Sequence, residues 1–161
     1  MASPPLLIIW HSRTHTSEQL ARSAAHGAGK NACLLRAEET DPGDLLSAGG
    51  YLFCCPENLA SMSGAMKEMF DRCYYPVLGR IEGRPYATIV AAGSDGEGAQ
   101  RQLDRIAKGW RLKRVAEPWI YNTAAQEPEA ILAPKTVDED ALQRAREFGA
   151  GLGEGIAQGI F

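Results

Sequence analysis

The chain has 161 residues, with 17 Lys and Arg against 20 Asp and Glu and a formal net charge of -3 at pH 7. That length suits a single domain over residues 1–161 with a core that needs no disulfide staples, and 45% hydrophobic with 23% charged residues excludes global disorder. The charge excludes a dominant nucleic-acid surface and falls short of the strong acidity by which an electron carrier docks on protein partners.

Pro5 to His11 (PLLIIWH) reads as a strand covered on both faces. Its apolar run, Leu6 to Trp10, is too short to span a bilayer, and no basic leader precedes it, so the expectation is a cytoplasmic protein without membrane contact. The loop Ser12-Arg13-Thr14-His15-Thr16 leads into a helix from about Ser17, with Leu20, Ala21, Ala24, Ala25 and Ala28 on one side and Gly29 at its end. Ala32 to Leu35 is a short second strand, flanked by the acidic and turn residues Glu38, Glu39, Asp41 and Gly43. Gly50 to Cys55 is a third strand, stopped by Pro56. Met62, Met66, Met69, Phe70 and Cys73 then recur at helical spacing, opposite Lys67, Glu68, Asp71 and Arg72.

Arg84 to Ala92 contains a fourth strand, followed by the loop Gly93-Ser94-Asp95-Gly96-Glu97-Gly98 and a helix carrying Ala99, Leu103, Ile106, Ala107 and Trp110. Val115 to Tyr121 is a fifth strand, with Pro118 marking an edge or a bend. Beyond Pro128 and Pro134, Thr136 and Glu139 make a capping box for a last helix that turns Ala141, Ala145, Phe148, Leu152 and Ile156 inward. Gly149, Gly151, Gly153 and Gly155 weaken that helix by propensity and suit close packing against an element the sequence does not name. Cys33, Cys54, Cys55 and Cys73 have no metal-site spacing and read as buried thiols of a reducing compartment, with Cys54 and Cys55 on opposite faces of their strand. Trp10 and Trp110 are core residues. Trp119 and Tyr121 either join the core or border an opening, and Tyr74 and Tyr75 close a helix where a second copy could pack.

Five alternations of strand and helix specify a parallel sheet with helices on both faces, and ligands of such sheets bind beyond the C-terminal strand ends. The first of these loops sets Ser12, Thr14, Thr16 and Ser17 before a helix, where hydroxyls and free backbone N–H groups form an anion site. The same residues would also serve as a plain helix cap. GxGxxG and GxxxxGK[ST] are both missing, so a single phosphate monoester fits better than a pyrophosphate or a nucleoside triphosphate, and Arg13 adds positive charge.

Pro56-Glu57-Asn58, followed by Ser61-Met62-Ser63-Gly64-Ala65-Met66-Lys67 and by Phe70-Asp71-Arg72, resembles the flavin-binding segment of the flavodoxin-like NAD(P)H-dependent FMN reductases and quinone reductases. Ser12 to Ala21 is similar to the FMN phosphate loop of that superfamily, and Ala92 to Gly98 to its third flavin-contacting loop. The resemblance implies a three-layer flavodoxin-like α/β fold, its five-stranded parallel sheet in the order 2-1-3-4-5 with helices on both faces. It also implies FMN as cofactor, NAD(P)H as transient co-substrate and a homodimer or homotetramer. By position, Ser12, Thr14 and Ser17 would bind the FMN phosphate with the backbone N–H groups from Arg13 through His15 to Thr16. Pro56, Glu57, Asn58, Leu59 and the Ser61–Met62 backbone would line the isoalloxazine and ribityl chain. Gly93, Ser94 and Gly96 would approach the pyrimidine edge, with Asp95 close to the ring; glycine permits such close approach.

His15 stands where the family usually has Gly, a position suited to positive φ. Its side chain either contacts the phosphate or stays an exposed loop group. Glu57 is either a solvated carboxylate or a functional one. Because the flavin carries the hydride chemistry, no side-chain acid or base is expected. The function so implied is transfer of reducing equivalents from NAD(P)H to a quinone, a flavin or another small acceptor. The alternative is an electron-transfer flavodoxin that docks on redox proteins, and a third reading is a scaffold that has lost its flavin.

Overall fold

In a computed structural model that describes residues 2–161, the first apolar run forms β1 (Leu6–Trp10), all five residues of it buried. There follow α1 (Thr16–Ala28), β2 (Ala32–Arg36), α2 (Pro42–Ser47), β3 (Gly50–Asn58), β4 (Ser61–Met62) and α3 (Gly64–Val77). The second half comprises β5 (Pro85–Ala92), α4 (Glu97–Gly109), β6 (Lys113–Arg114), β7 (Trp119–Asn122), α5 (Pro128–Leu132) and α6 (Glu139–Ala157). The sheet runs β2-β1-β3-β5, and β6 and β7 both pair with the outer edge of β5, all in parallel. The expected 2-1-3-4-5 order is therefore present. It contains seven strands rather than five because the fifth position breaks around Pro118 into β6 and β7, and because the end of β3 folds back on β4.

Period-two alternation divides the core between the two sheet faces. Leu6, Ile8, Leu52, Cys54 and Ile89 pack under α1 and α6, while Leu7, Ile9, Phe53, Cys55 and Val90 pack under α3 and α4. Cys54 and Cys55 thus take opposite faces, and burial raises both thiols, Cys55 to about 12. Trp10 and Trp110 are buried as expected, and Trp119 joins the core against Phe148. Cys33 departs from the expectation: it is exposed, because β2 is the outer strand and half-open to solvent.

The glycines of the last helix have a partner in α1. A Cβ on Gly149 would fall on the Ala24 carbonyl, and a Cβ on Gly27 would fall on the Arg146 carbonyl, so each helix contributes a glycine against which the backbone of the other rests. Gly153 rests against Ala28 in the same seam, whereas Gly151 faces open space. The helix starts later than the Thr136–Glu139 pairing implies. Asp138 is its N-cap, with its carboxylate accepting from the Ala141 N–H at 3.0 Å, and an anion is favoured at that end of a helix.

Candidate functional site

Three loops meet at the C-terminal ends of β1, β3 and β5 and surround one cleft. It is lined by Ser12, Arg13, Thr14, Thr16 and Ser17 from the first loop, by Pro56, Glu57 and Asn58 from the second, and by Gly93 from the third. An adjoining hollow continues it past Leu59, Ala60 and Ser94.

The first loop delivers the amino end of α1 into this cleft. His15 is the N-cap residue, in the left-handed region at φ 74°, and its side chain makes no cap bond. The positive φ expected of the glycine position is thus present with a histidine in it. The imidazole turns away, its Nδ1 3.1 Å from Glu18 Oε1, into a separate hollow with Trp10, His11 and Arg36. Glu18 is held below its ordinary pKa by that hydrogen bond and by Arg22. Without a side-chain cap, the first-turn N–H groups of α1 keep their hydrogen-bonding capacity. Two hydroxyls join them. Thr16 Oγ1 and Ser17 Oγ belong to residues 4% and 1% exposed, and neither has a hydrogen-bond partner. Buried hydroxyls are normally paired, so this pair marks a place built for an acceptor.

The second loop differs from its sequence reading. Pro56 does not stop β3; the strand runs through it to Asn58. Backbone groups of successive strand residues point to opposite neighbours. Cys54 directs its carbonyl to the His11 N–H at the end of β1, so Pro56 looks toward the same flank beyond the last residue of β1, where no donor is required. Glu57 and Asn58 then pair with Met62 and Ser61 of β4. Leu59 and Ala60 form the hairpin tip, both in the left-handed region at φ 53° and 64°, the signature of a type I′ turn without its usual glycine. Met62 therefore belongs to a strand rather than to the helix that its spacing suggested. The amide oxygen of Gln102 secures the hairpin from α4, accepting from the Met62 N–H at 2.8 Å and the Ser61 hydroxyl at 2.9 Å.

Glu57 fastens the second loop to the third. Its carboxylate accepts from the Gly96 N–H at 2.9 Å and the Ala99 N–H at 3.2 Å, capping α4 from another segment of chain. Both of its oxygens are engaged, so it is not a free solvated carboxylate, although it still lines the cleft. The third loop owes its glycines to protein neighbours. A Cβ on Gly93 would strike the Ala125 carbonyl, and one on Gly96 would lie 2.5 Å from Ile120 Cγ2. Ser61, Met62, Asp95 and Gly96 do not line the cleft: Met62 is in the core, Ser61 is bonded to Gln102, Gly96 packs on Ile120, and Asp95 is exposed with its carboxylate accepting from the Glu97 N–H.

Sequence reasoning missed the far wall. Thr123 and Ala125 from the loop after β7, Ile131 and Leu132 from α5, and Lys135 from the segment after α5 complete the lining. A five-residue helix is too short for periodicity to reveal, and Pro128 at its first position was the one available signal. Among the described residues there is no cluster of His, Cys, Asp and Glu fit to hold a metal ion, and no helix is long and apolar enough to cross a membrane.

A family model described as NADPH-dependent FMN reductase matches residues 43–126, which hold the second and third loops. No curated protein matches the chain. Among solved structures, a flavodoxin from the domain Archaea superposes with a TM-score of 0.76 at 12% identity, over 94% of this chain and 98% of that one. A WrbA-like flavodoxin protein from Agrobacterium tumefaciens gives a TM-score of 0.69 at 15% identity, over 97% and 99% of the two chains. The flavodiiron protein from Giardia intestinalis gives 0.75 at 17% identity over 94% of this chain, which spans only 36% of that larger one. Likeness at these identities shows the flavodoxin-like fold.

Proposed function

The chain belongs to the NADPH-dependent FMN reductase family, and from that premise we propose that the cleft holds one FMN and that the protein passes reducing equivalents from NAD(P)H to a quinone, a flavin or another small acceptor. The observation that carries this reading is the unpartnered pair Thr16 Oγ1 and Ser17 Oγ at the open amino end of α1. A phosphate monoester presents oxygen acceptors to two hydroxyls and to free N–H groups at once, and the helix dipole favours its charge. Ser12 and Thr14 line the same recess and Arg13 stands at its rim.

The remaining residues fit the group as well. Pro56, Asn58, Leu59, Gly93 and Ser94 border the continuation of the cleft, where a flat ring would lie between the second and third loops. When bound, FMN supplies the two-electron chemistry between nicotinamide and acceptor. The chain positions and encloses the reactants. Leu59, fully exposed, and the exposed Ile131 and Leu132 give the opening an apolar border, suited to a planar, weakly polar acceptor. The same reading takes the whole chain as one domain, in a reducing compartment such as the cytoplasm, acting as a homodimer or homotetramer. The free buried thiols Cys54, Cys55 and Cys73 support the compartment, and Tyr75, 78% exposed beside Leu78, supports association.

The test is the visible spectrum of the purified protein after equilibration with FMN, followed by addition of NADPH with and without a simple quinone. A protein-bound flavin spectrum that bleaches with NADPH and recovers with quinone is expected. A chain that retains no FMN overturns the reading. Bound FMN that NADPH does not reduce points instead to a carrier.

A further inference from the structure

The far wall brings a cation to the phosphate recess, and this inference rests on the FMN reading above. Lys135 lines the cleft together with Thr14, Thr16 and Ser17. Its main chain is fastened to the first loop on one side and to α1 on the other. The Lys135 N–H donates to the Thr14 carbonyl at 2.8 Å, and its carbonyl accepts from Gln19 Nε2 at 2.9 Å. That amide also donates to the His15 carbonyl at 2.8 Å, and its oxygen accepts from the Val137 N–H at 3.1 Å. The Lys135 side chain is thereby rooted beside α1 although more than a hundred residues separate the two in sequence.

Its charge is uncompensated. The solvent-facing ammonium donates to the Ile131 carbonyl at 3.1 Å and the Ala133 carbonyl at 2.7 Å, and among the described residues it pairs with no carboxylate. Glu57, the carboxylate that lines the cleft, is bound to the amino end of α4, and Glu18 is bound to His15 and Arg22. The recess therefore collects Lys135, Arg13 and the positive end of α1 without a counter-charge. Positive charge gathered in that way, with no carboxylate to answer it, favours an anion that can accept charge-assisted hydrogen bonds.

We propose that Lys135 is a phosphate-binding residue of this site, contributing its charge to the FMN phosphate from the loop after α5 while its bonds to Ile131 and Ala133 tie the occupied recess to the apolar wall. Phosphate recognition then draws on two separate stretches of chain, the first loop and the segment after α5. The occupied recess steadies Ile131 and Leu132, which border the ring end of the cleft.

The experiment compares FMN with riboflavin, which lacks the phosphate, by fluorescence titration of the wild type, Lys135→Met and Lys135→Arg, with the thermal midpoint of each. Lys135→Met should weaken FMN about tenfold or more, the scale of one charge-assisted hydrogen bond, and leave riboflavin nearly unchanged. Lys135→Arg should restore most of the preference for FMN, since it keeps the charge. If the wild type binds riboflavin as tightly as FMN, the phosphate reading itself fails. If the wild type prefers FMN and Lys135→Met prefers it equally, Lys135 does not engage the phosphate. Equal loss of both flavins in Lys135→Met means that the lysine only braces α5, which also overturns the proposal.

Discussion

Glu57 of the second loop holds Gly96 of the third: its carboxylate accepts the Gly96 N–H at 2.9 Å and, through its other oxygen, the Ala99 N–H at 3.2 Å. Two walls of the cleft are joined by one side chain. Glu57→Ala should cost about 2 kcal/mol of stability, the scale of hydrogen bonds to a charged group, and should weaken FMN. Glu57→Gln, which keeps an acceptor oxygen, should recover part of both losses. Urea denaturation with FMN titration checks this; equal behaviour of the two variants and the wild type would show that the loops hold their positions without the clasp.

The unpartnered hydroxyls make an opposing pair of expectations. Thr16→Val and Ser17→Ala each remove a buried hydroxyl that has no partner. Stability without flavin should hold or rise by up to roughly 1 kcal/mol, while FMN affinity falls. Differential scanning calorimetry with and without FMN reads both. A variant that loses stability and keeps its affinity would place the phosphate elsewhere.

Two glycines of α6 should respond to alanine with opposite signs. Gly151 faces open space, and Gly151→Ala should gain up to about 1 kcal/mol from helix propensity. Gly149 lies on the Ala24 carbonyl, so Gly149→Ala should lose about 1–3 kcal/mol through overpacking despite the same propensity gain. Chemical denaturation of the two variants decides it, and a stabilised Gly149→Ala would refute the close seam.

His11 gives the acid response a local source. Burial lowers its pKa, with Glu38 opposing and Arg13 adding to the shift, and its Nδ1 lies 2.9 Å from the Ser63 hydroxyl. Below about pH 6.5, the ordinary histidine value, the unfolded chain takes up the proton more readily than the folded one, so stability is lost as pH falls from there through the lowered native pKa. His11→Gln should flatten that part of the stability profile. Titration of the His11 ring by NMR should give a midpoint below 6.5; a midpoint above it reverses the sign.

The parallel sheet and both core faces were legible because β1, β3 and β5 are near-continuous apolar runs and α1, α3 and α4 repeat their apolar residues at helical spacing, whereas the strand order came only from the resemblance of the three loops to the flavodoxin-like reductases. The first loop was legible through its hydroxyls. The β3–β4 hairpin was not: Leu59 and Ala60 adopt a turn that normally advertises itself by Asn-Gly, and tertiary bonds from Gln102 override that preference. The reason for Gly93 was also hidden. Its missing side chain makes room for the Ala125 carbonyl, a neighbour 32 positions away that local spacing cannot announce. Lys135 was invisible for the same cause, since only the fold carries it back to Thr14.

The backbone contacts of Gly27 with Arg146 and of Gly149 with Ala24 have a mechanical consequence. An α-helix transmits displacement along its axis nearly rigidly, and Gly27 lies on the order of 16 Å down α1 from Thr16 at 1.5 Å per residue. The notch between the two helices blocks sliding by even one residue, so it calibrates from a distance where the hydroxyl-bearing tip comes to rest. Damage at that remote joint would blunt ligand grip while every group in the cleft kept its chemistry.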